Sequence, residues 1–211
     1  MARNKYPEET ERKILDVARK LFTEKGYDHT TIQDIVDGLG MSKGAVYHHF
    51  KSKEAIYDRI TDLYYDKHSW MIDPGTLPGE TALEKCRNLF LFLLSDPEKL
   101  QLDRLVPNVD QDPKLLRLGL VSTLNDAAPL VTRLIEMGNA DGSLHVAQPK
   151  ETAEAFMLLM NLWVPLFLTS KEDFFVRLRF LRDFTDALGF PVLTDEVIDT
   201  AGRYLDATTP Y

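Results

Sequence analysis

Ile14, Val17, Ala18, Leu21 and Phe22 recur at i, i+3, i+4, i+7 and i+8, the single apolar stripe of an amphipathic helix. The same period returns along most of the chain, and no stretch alternates apolar and polar residues as a half-buried strand would. That pattern admits an all-α fold and excludes one built on a sheet. The stripe stops at Gly26, a residue that tolerates the left-handed position just past a helix end. Thr30, with Gln33 three residues on, reads as a capping box opening a second helix, whose core face is Ile32, Ile35, Val36 and Leu39. Gly40 ends it. Ser42 reads as the N-cap of a third helix running to about Phe50, and Ser52 as the N-cap of a fourth carrying Ile56, Ile60, Leu63 and Tyr64.

Beyond the Pro/Gly-rich connection 73–80 ("DPGTLPGE") the pattern predicts helices over roughly 80–95, 97–106, 113–138, 150–169, 171–188 and 194–206. Pro129 should split or kink the third of these and Pro165 the fourth, because proline cannot donate to the helix ladder. Residues 139–149 ("NADGSLHVAQP") read as a turn-rich linker. The predicted organisation is a small N-terminal helical unit, 1–55, joined to a larger helical body, 56–211.

Charge separates the two parts. The net charge is −8, yet residues 1–55 carry 10 Lys and Arg against 9 Asp and Glu, leaving −9 on the remainder. A nucleic-acid site would therefore be a local patch near the N-terminus. The opening "MARNKYPEETERK" is charged where a signal peptide would turn apolar, and no apolar run is long enough to span a bilayer. A single cysteine, Cys86, permits no intrachain disulfide. These features predict a cytoplasmic protein.

The stretch "GMSKGAVYHHFKSKE" (40–54) concentrates the chemistry. Gly40, Ser42 and Gly44 formally match a nucleophile elbow, but an elbow needs a preceding strand, and a helical stripe precedes this one. A hydrolase using Ser42 is therefore set aside in favour of Ser42 as a helix cap, and no enzyme activity is expected. On a helical wheel Val46 and Phe50 face inward. Lys43, Gly44, Tyr47 and His48 face outward, with Gly44 and Ala45 leaving little bulk between the backbone and whatever docks there. That outward face suits a helix lying in the major groove of DNA. Lys53, in the first turn of the next helix, opposes the helix dipole unless a phosphate sits there too. Thr31 and Gln33 offer polar groups on the same side.

Residues 10–56, in particular "ILDVARKLFTEKGYDHTTIQDIVDGLGMSKGAVYHHFKSKEAIY", resemble the DNA-binding domain of the TetR family of transcriptional regulators. The spacing of Ala18, Phe22, Gly26, Tyr27, Thr30, Ile35, Gly40, Gly44, Tyr47, Phe50 and Lys53 carries the resemblance, which covers about a quarter of the chain. It implies an all-α homodimer that binds a palindromic operator in double-stranded DNA, and a C-terminal domain for dimerisation and a small-molecule effector that releases the repressor. It places Lys43, Gly44, Ala45, Tyr47 and His48 on the recognition helix headed by Ser42, and Thr31, Gln33, Tyr47 and Lys53 at phosphate contacts. A constitutive DNA-binding module without an effector remains the alternative.

The body gives less. The histidines lack the spacing of a metal site, and no metal or cofactor is expected. Trp163, Phe90, Met157, Met160 and Phe167 are candidates for an effector pocket between helices of 80–138 and 150–169. The segment 173–190, with a stripe of Phe174, Leu178, Leu181 and Leu188, is a candidate half of a dimeric four-helix interface. The fourth helix, continuous with the head, is the expected lever between effector and DNA.

Overall fold

In the computed structural model, which describes residues 7–105 and 112–208, every regular element among the described residues is helical. The chain divides into two compact units, Met1–Lys67 with Gln101–Pro107, and His68–Leu100 with Asn108–Tyr211.

The first unit is built on α1 (Pro7–Lys25), α2 (Ile32–Leu39), α3 (Lys43–His49) and α4 (Lys53–Lys67). Ile14, Ala18 and Phe22 of α1 are buried, with Val17 and Leu21 half-buried beside them. Gly26 takes φ 82° and ends α1, as its position predicts. The cap of α2 differs from the sequence reading by one residue. Thr30 is buried, and its hydroxyl donates to the Gly26 carbonyl at 2.8 Å, closing the turn after α1. Thr31 is the N-cap, and its partner is Asp34 rather than Gln33. Gln33 instead donates to Asp37 at 2.8 Å. Of the predicted α2 face, Ile35 and Val36 are buried and Ile32 and Leu39 half-buried.

Ile56, Ile60 and Tyr64 bury one stripe of α4, whereas Leu63, placed on that stripe by the sequence, is exposed. At i+3 from Ile60 it falls to the solvent edge of the stripe, while Tyr64 at i+4 takes the buried place. Arg59 Nε donates to Glu11 Oε1 at 2.9 Å and ties α4 to α1. α4 thus packs with the head, so the compact N-terminal unit runs past residue 55 to Lys67.

The second unit contains a short 3₁₀ turn (Ser69–Ile72), α5 (Ala82–Ser95), α7 (Pro113–Ser122), α8 (Ala128–Asp141), α9 (Pro149–Leu158), α10 (Lys171–Ala187) and α11 (Asp195–Thr208); α6 is the short Pro97–Asp103. Phe90 of α5, Phe156 of α9 and Phe190 stack edge-to-face in a row, with centroids 5.4 Å apart at each step. Each such fully buried side chain contributes roughly 1.5–3 kcal/mol of apolar burial. Cys86 lies in this core, and burial pushes its thiol up to about 12, so it behaves as a small hydrophobe.

α8 runs to Asp141, three residues into the segment read as linker, and Gly142 at φ 81° stops it. Its end caps α5: Asp141 Oδ2 accepts from the Ala82 N–H at 2.7 Å, and Ser143 Oγ from the Leu83 N–H at 3.3 Å. Hydrogen bonds from the Ser143 side chain first, then from the Ala82 and Ser143 N–H groups, hold the Asp141 carboxyl below the usual carboxylate range.

Both prolines interrupt their helices in one way. Thr123–Ala127 and Leu159–Trp163 are wide π turns, and each ends two residues before a proline, Pro129 and Pro165. The wider turn re-satisfies backbone groups that proline would strand.

Candidate nucleic-acid interface

α2 and α3 are set at their mutual angle by Gly40, which takes φ 63° and whose N–H bonds back to the Asp37 and Val36 carbonyls. Ser42 then starts α3, its side chain accepting from the Ala45 N–H at 3.3 Å. The hydroxyl is a cap, and a helix rather than a strand precedes it. Val46 and Phe50 bury the inner face of α3, as its wheel predicts.

On the outer face Ser42, Lys43, Gly44 and His48 are exposed, and Ala45 and Tyr47 half-buried. Lys43 Nζ lies 5.7 Å from the centroid of the Tyr47 ring, one turn along. The ammonium and ring therefore form a wall along one side of the helix. His48 stands on the other side, its ring 5.5 Å from that of His49 and nearly perpendicular to it. Between wall and imidazole the surface falls to the bare Cα of Gly44, where an added Cβ would meet nothing within 4 Å. The structure thus brings together five of the residues that the sequence assigned to the recognition helix.

The flanking residues are more engaged than the sequence suggested. Thr31 and Gln33 are exposed. The Asp34 carboxylate, however, accepts from both the Thr31 hydroxyl, at 2.7 Å, and the Thr31 N–H, at 2.8 Å. Its other oxygen is bound by Lys25 Nζ at 2.7 Å. The Lys25 ammonium first, then the Thr31 donors, hold the Asp34 carboxyl well below the usual carboxylate range. Lys53 is half-buried; its ammonium donates to the Tyr27 carbonyl at 2.6 Å and lies 3.9 Å from the centroid of the Tyr27 ring. That contact accounts for a lysine at the start of α4 within the fold itself. Sequence reasoning passed over Lys51, which donates to the Tyr47 carbonyl at 2.9 Å and caps the end of α3. A lysine just past a short helix was the available signal.

In the second unit the five effector candidates do not share one surface. Phe90 and Met157 are buried, Met160 is half-buried, and Trp163 and Phe167 are exposed, Phe167 by 71%. An open groove of about 340 Å³ is lined by Phe175, Arg179, Arg182, Asp195, Ile198 and Asp199, none of them among the five. Phe167 holds φ 55°. The carbonyls of Trp163, Leu166 and Phe167 all accept from Arg177, at 2.6, 2.8 and 3.3 Å, and Arg177 also pairs with Asp173 at 2.9 Å.

Of the stripe Phe174, Leu178, Leu181 and Leu188, read as a dimer face, the first three are buried within the chain and Leu188 is exposed. Val176 and Phe180 are the exposed large apolar residues of α10, with Phe184 stacked on Phe180 and Trp163 edge-on to Phe180 at 5.6 Å. α10 is apolar on two faces, and the sequence reading followed the stronger one. No group of three His, Cys, Asp or Glu able to hold a metal occurs among the described residues, and none of their helices is long and apolar enough to cross a membrane.

Residues 14–60 match the family profile of the bacterial regulatory proteins of the tetR family. The HTH-type transcriptional repressor KstR2 of Mycolicibacterium smegmatis is 34% identical over 82 residues, covering 37% of this chain and 38% of that protein. The biofilm operon icaADBC HTH-type negative transcriptional regulator IcaR of Staphylococcus aureus is 44% identical over 54 residues, covering 26% of this chain and 29% of its own length. The chain thus matches well under two thirds of these relatives. Over nearly the whole chain the fold is similar to that of Salmonella enterica GusR, with TM-score 0.61, 18% identity, and 98% and 99% of the two chains covered. A TetR-family regulator from Pectobacterium atrosepticum superposes with TM-score 0.58 at 19% identity, over 89% of this chain and 97% of that one.

Proposed function

We propose, on the premise that residues 14–60 match the profile of the tetR family, that the protein is a sequence-specific DNA-binding repressor, released from a palindromic operator by a small-molecule effector. The observation that carries the reading is the outer face of α3. A cation, a phenol and an imidazole surround a bare backbone floor, on a helix whose inner face is fully used by the core. Lys43, Gly44, Ala45, Tyr47 and His48 face base edges. Ser42, Thr31, Gln33 and Lys53 serve the phosphates beside them, with Thr31 exchanging its bonds to Asp34 for bonds to DNA.

One such head reads a few base pairs, so the reading requires two. Val176, Phe180 and Phe184 stand at i, i+4 and i+8 on α10, an apolar row whose exposed members, Val176 and Phe180, are assigned to meet a second copy of the chain. Effector binding is assigned to the second unit. The effector must prefer a dimer whose heads no longer match the operator, since equal affinity for both states shifts nothing.

Selection of duplexes from a random pool by the full-length protein tests the reading. A palindromic consensus bound far more tightly than unselected duplex is the expected result. Equal binding to all duplexes, or none, defeats it.

A further inference from the structure

Nine of the eleven glycines answer to the fold. Five take positive φ, and in four others a Cβ would stand 3.2 Å or less from a neighbour, as at Gly38 against Val17. Gly44 and Gly119 remain. Both lie inside helices without positive φ, and a Cβ at either would meet nothing within 4 Å. Alanine would favour the helix at both places, because glycine loses more conformational freedom on folding. Gly119 is on α7, in the second unit. Gly44 lies in the first turn of α3, on its outer face, so the reason for a glycine there is sought outside the chain.

The surroundings of Gly44 say what that partner is. Its floor is an apolar Cα. Tyr47 and His48, at i+3 and i+4, flank it, and Lys43 leans over the Tyr47 ring. The methyl of half-buried Ala45 adjoins it. The next amides are occupied, Ala45 N–H by Ser42 Oγ and its carbonyl, and Val46 N–H by the Ser42 carbonyl. The notch is thus shallow, apolar at its base and polar at its rim. In the major groove one apolar group projects from a base edge, the C5-methyl of thymine.

We infer that Gly44 determines operator preference by forming a notch that seats a thymine methyl against the α3 backbone. This rests on the DNA-binding reading above and adds to it a named base feature. A Cβ at 44 would fill the seat and hold α3 away from the groove, while Lys43, Tyr47 and His48 kept their places.

The test pairs protein and DNA variants. The full-length wild-type chain first selects its tightest duplex from a random pool. Each thymine is then replaced singly by deoxyuridine, which removes only the methyl. One position in each half-site should lose about fourfold in affinity, the worth of one buried methyl. Gly44→Ala should bind the thymine duplex roughly tenfold more weakly, the usual scale of an overpacked contact, and should regain affinity when deoxyuridine at that position removes the competing methyl. Both Gly44→Ala and the control Gly119→Ala should melt at or above the wild-type temperature, and Gly119→Ala should bind as wild type.

Wild-type affinity for Gly44→Ala overturns the inference, as does a Gly44→Ala loss with no thymine sensitive to deoxyuridine. If the wild-type chain selects no duplex, the DNA-binding reading itself has failed.

Discussion

Asn161 donates through Nδ2 to Thr123 Oγ1 at 3.2 Å, tying one π turn of the body to the other. Each turn is closed by a bond five residues long, Ala128 N–H to the Thr123 carbonyl and Val164 N–H to the Leu159 carbonyl. Thr123 is buried and Asn161 exposed, so water can reach the amide if the partner is lost. Thr123→Val should therefore cost only about 0.5–1 kcal/mol in global stability. Amide exchange at Ala128 and Val164 should nonetheless quicken, since the mutual brace is gone. Unchanged exchange at both would show that each turn stands alone.

Lys53 and Lys43 should separate in a salt titration of operator binding. Lys53→Ala should weaken binding to all duplexes alike and flatten the salt slope by about one. It should also lower the melting temperature, because its ammonium holds the Tyr27 carbonyl and ring. Lys43→Ala should leave melting unchanged and cost roughly 1–3 kcal/mol at particular base pairs. Matching salt slopes and matching sequence profiles for the two variants would contradict these roles.

Phe180→Glu should leave each subunit folded, since 56% of Phe180 is exposed within the chain. It should also break the self-pairing proposed for α10. Sedimentation of the wild type should give twice the 24.1 kDa chain mass, and of the variant the single mass. A dimeric variant would move the interface elsewhere.

Asp34 gives the head one acid-sensitive contact. Its folded pKa is depressed, so its stabilisation is complete above the unfolded value near 4 and is lost as pH falls below it. Asp34→Asn should be less stable at neutral pH and should lose less stability than wild type between about pH 4 and 2. Parallel acid-melting curves, followed by circular dichroism, would count against the Lys25–Asp34–Thr31 arrangement.

Glycine and serine punctuation made the head legible in sequence. Gly26, Gly40, Ser42 and Ser52 each do in the structure what their chemistry predicts. The error at Thr30 came from adjacent threonines, of which one hydroxyl turned inward, and from an aspartate filling a place where glutamate or glutamine was sought. Pro129 and Pro165 announced interruptions, but not that a wide turn would absorb each one. The α10 stripe misled for a simpler reason. Phe174 and Phe180 are equally apolar in sequence, and only the packing of neighbouring helices decides which is covered. The α3 floor was readable as small residues, but Thr31's prior commitment to Asp34 depends on a side-chain rotamer, which sequence does not give.

Arg177 belongs to α10, yet three of its bonds reach carbonyls at the end of the preceding helical run. The link between the two runs is therefore cross-braced, even though it contains Pro165 and a phenylalanine at φ 55°. A joint of this kind transmits displacement instead of absorbing it. Any tilt imposed on the run that starts at Pro149 arrives at α10 as a tilt, the way a crank passes on torque that a slack cord would lose.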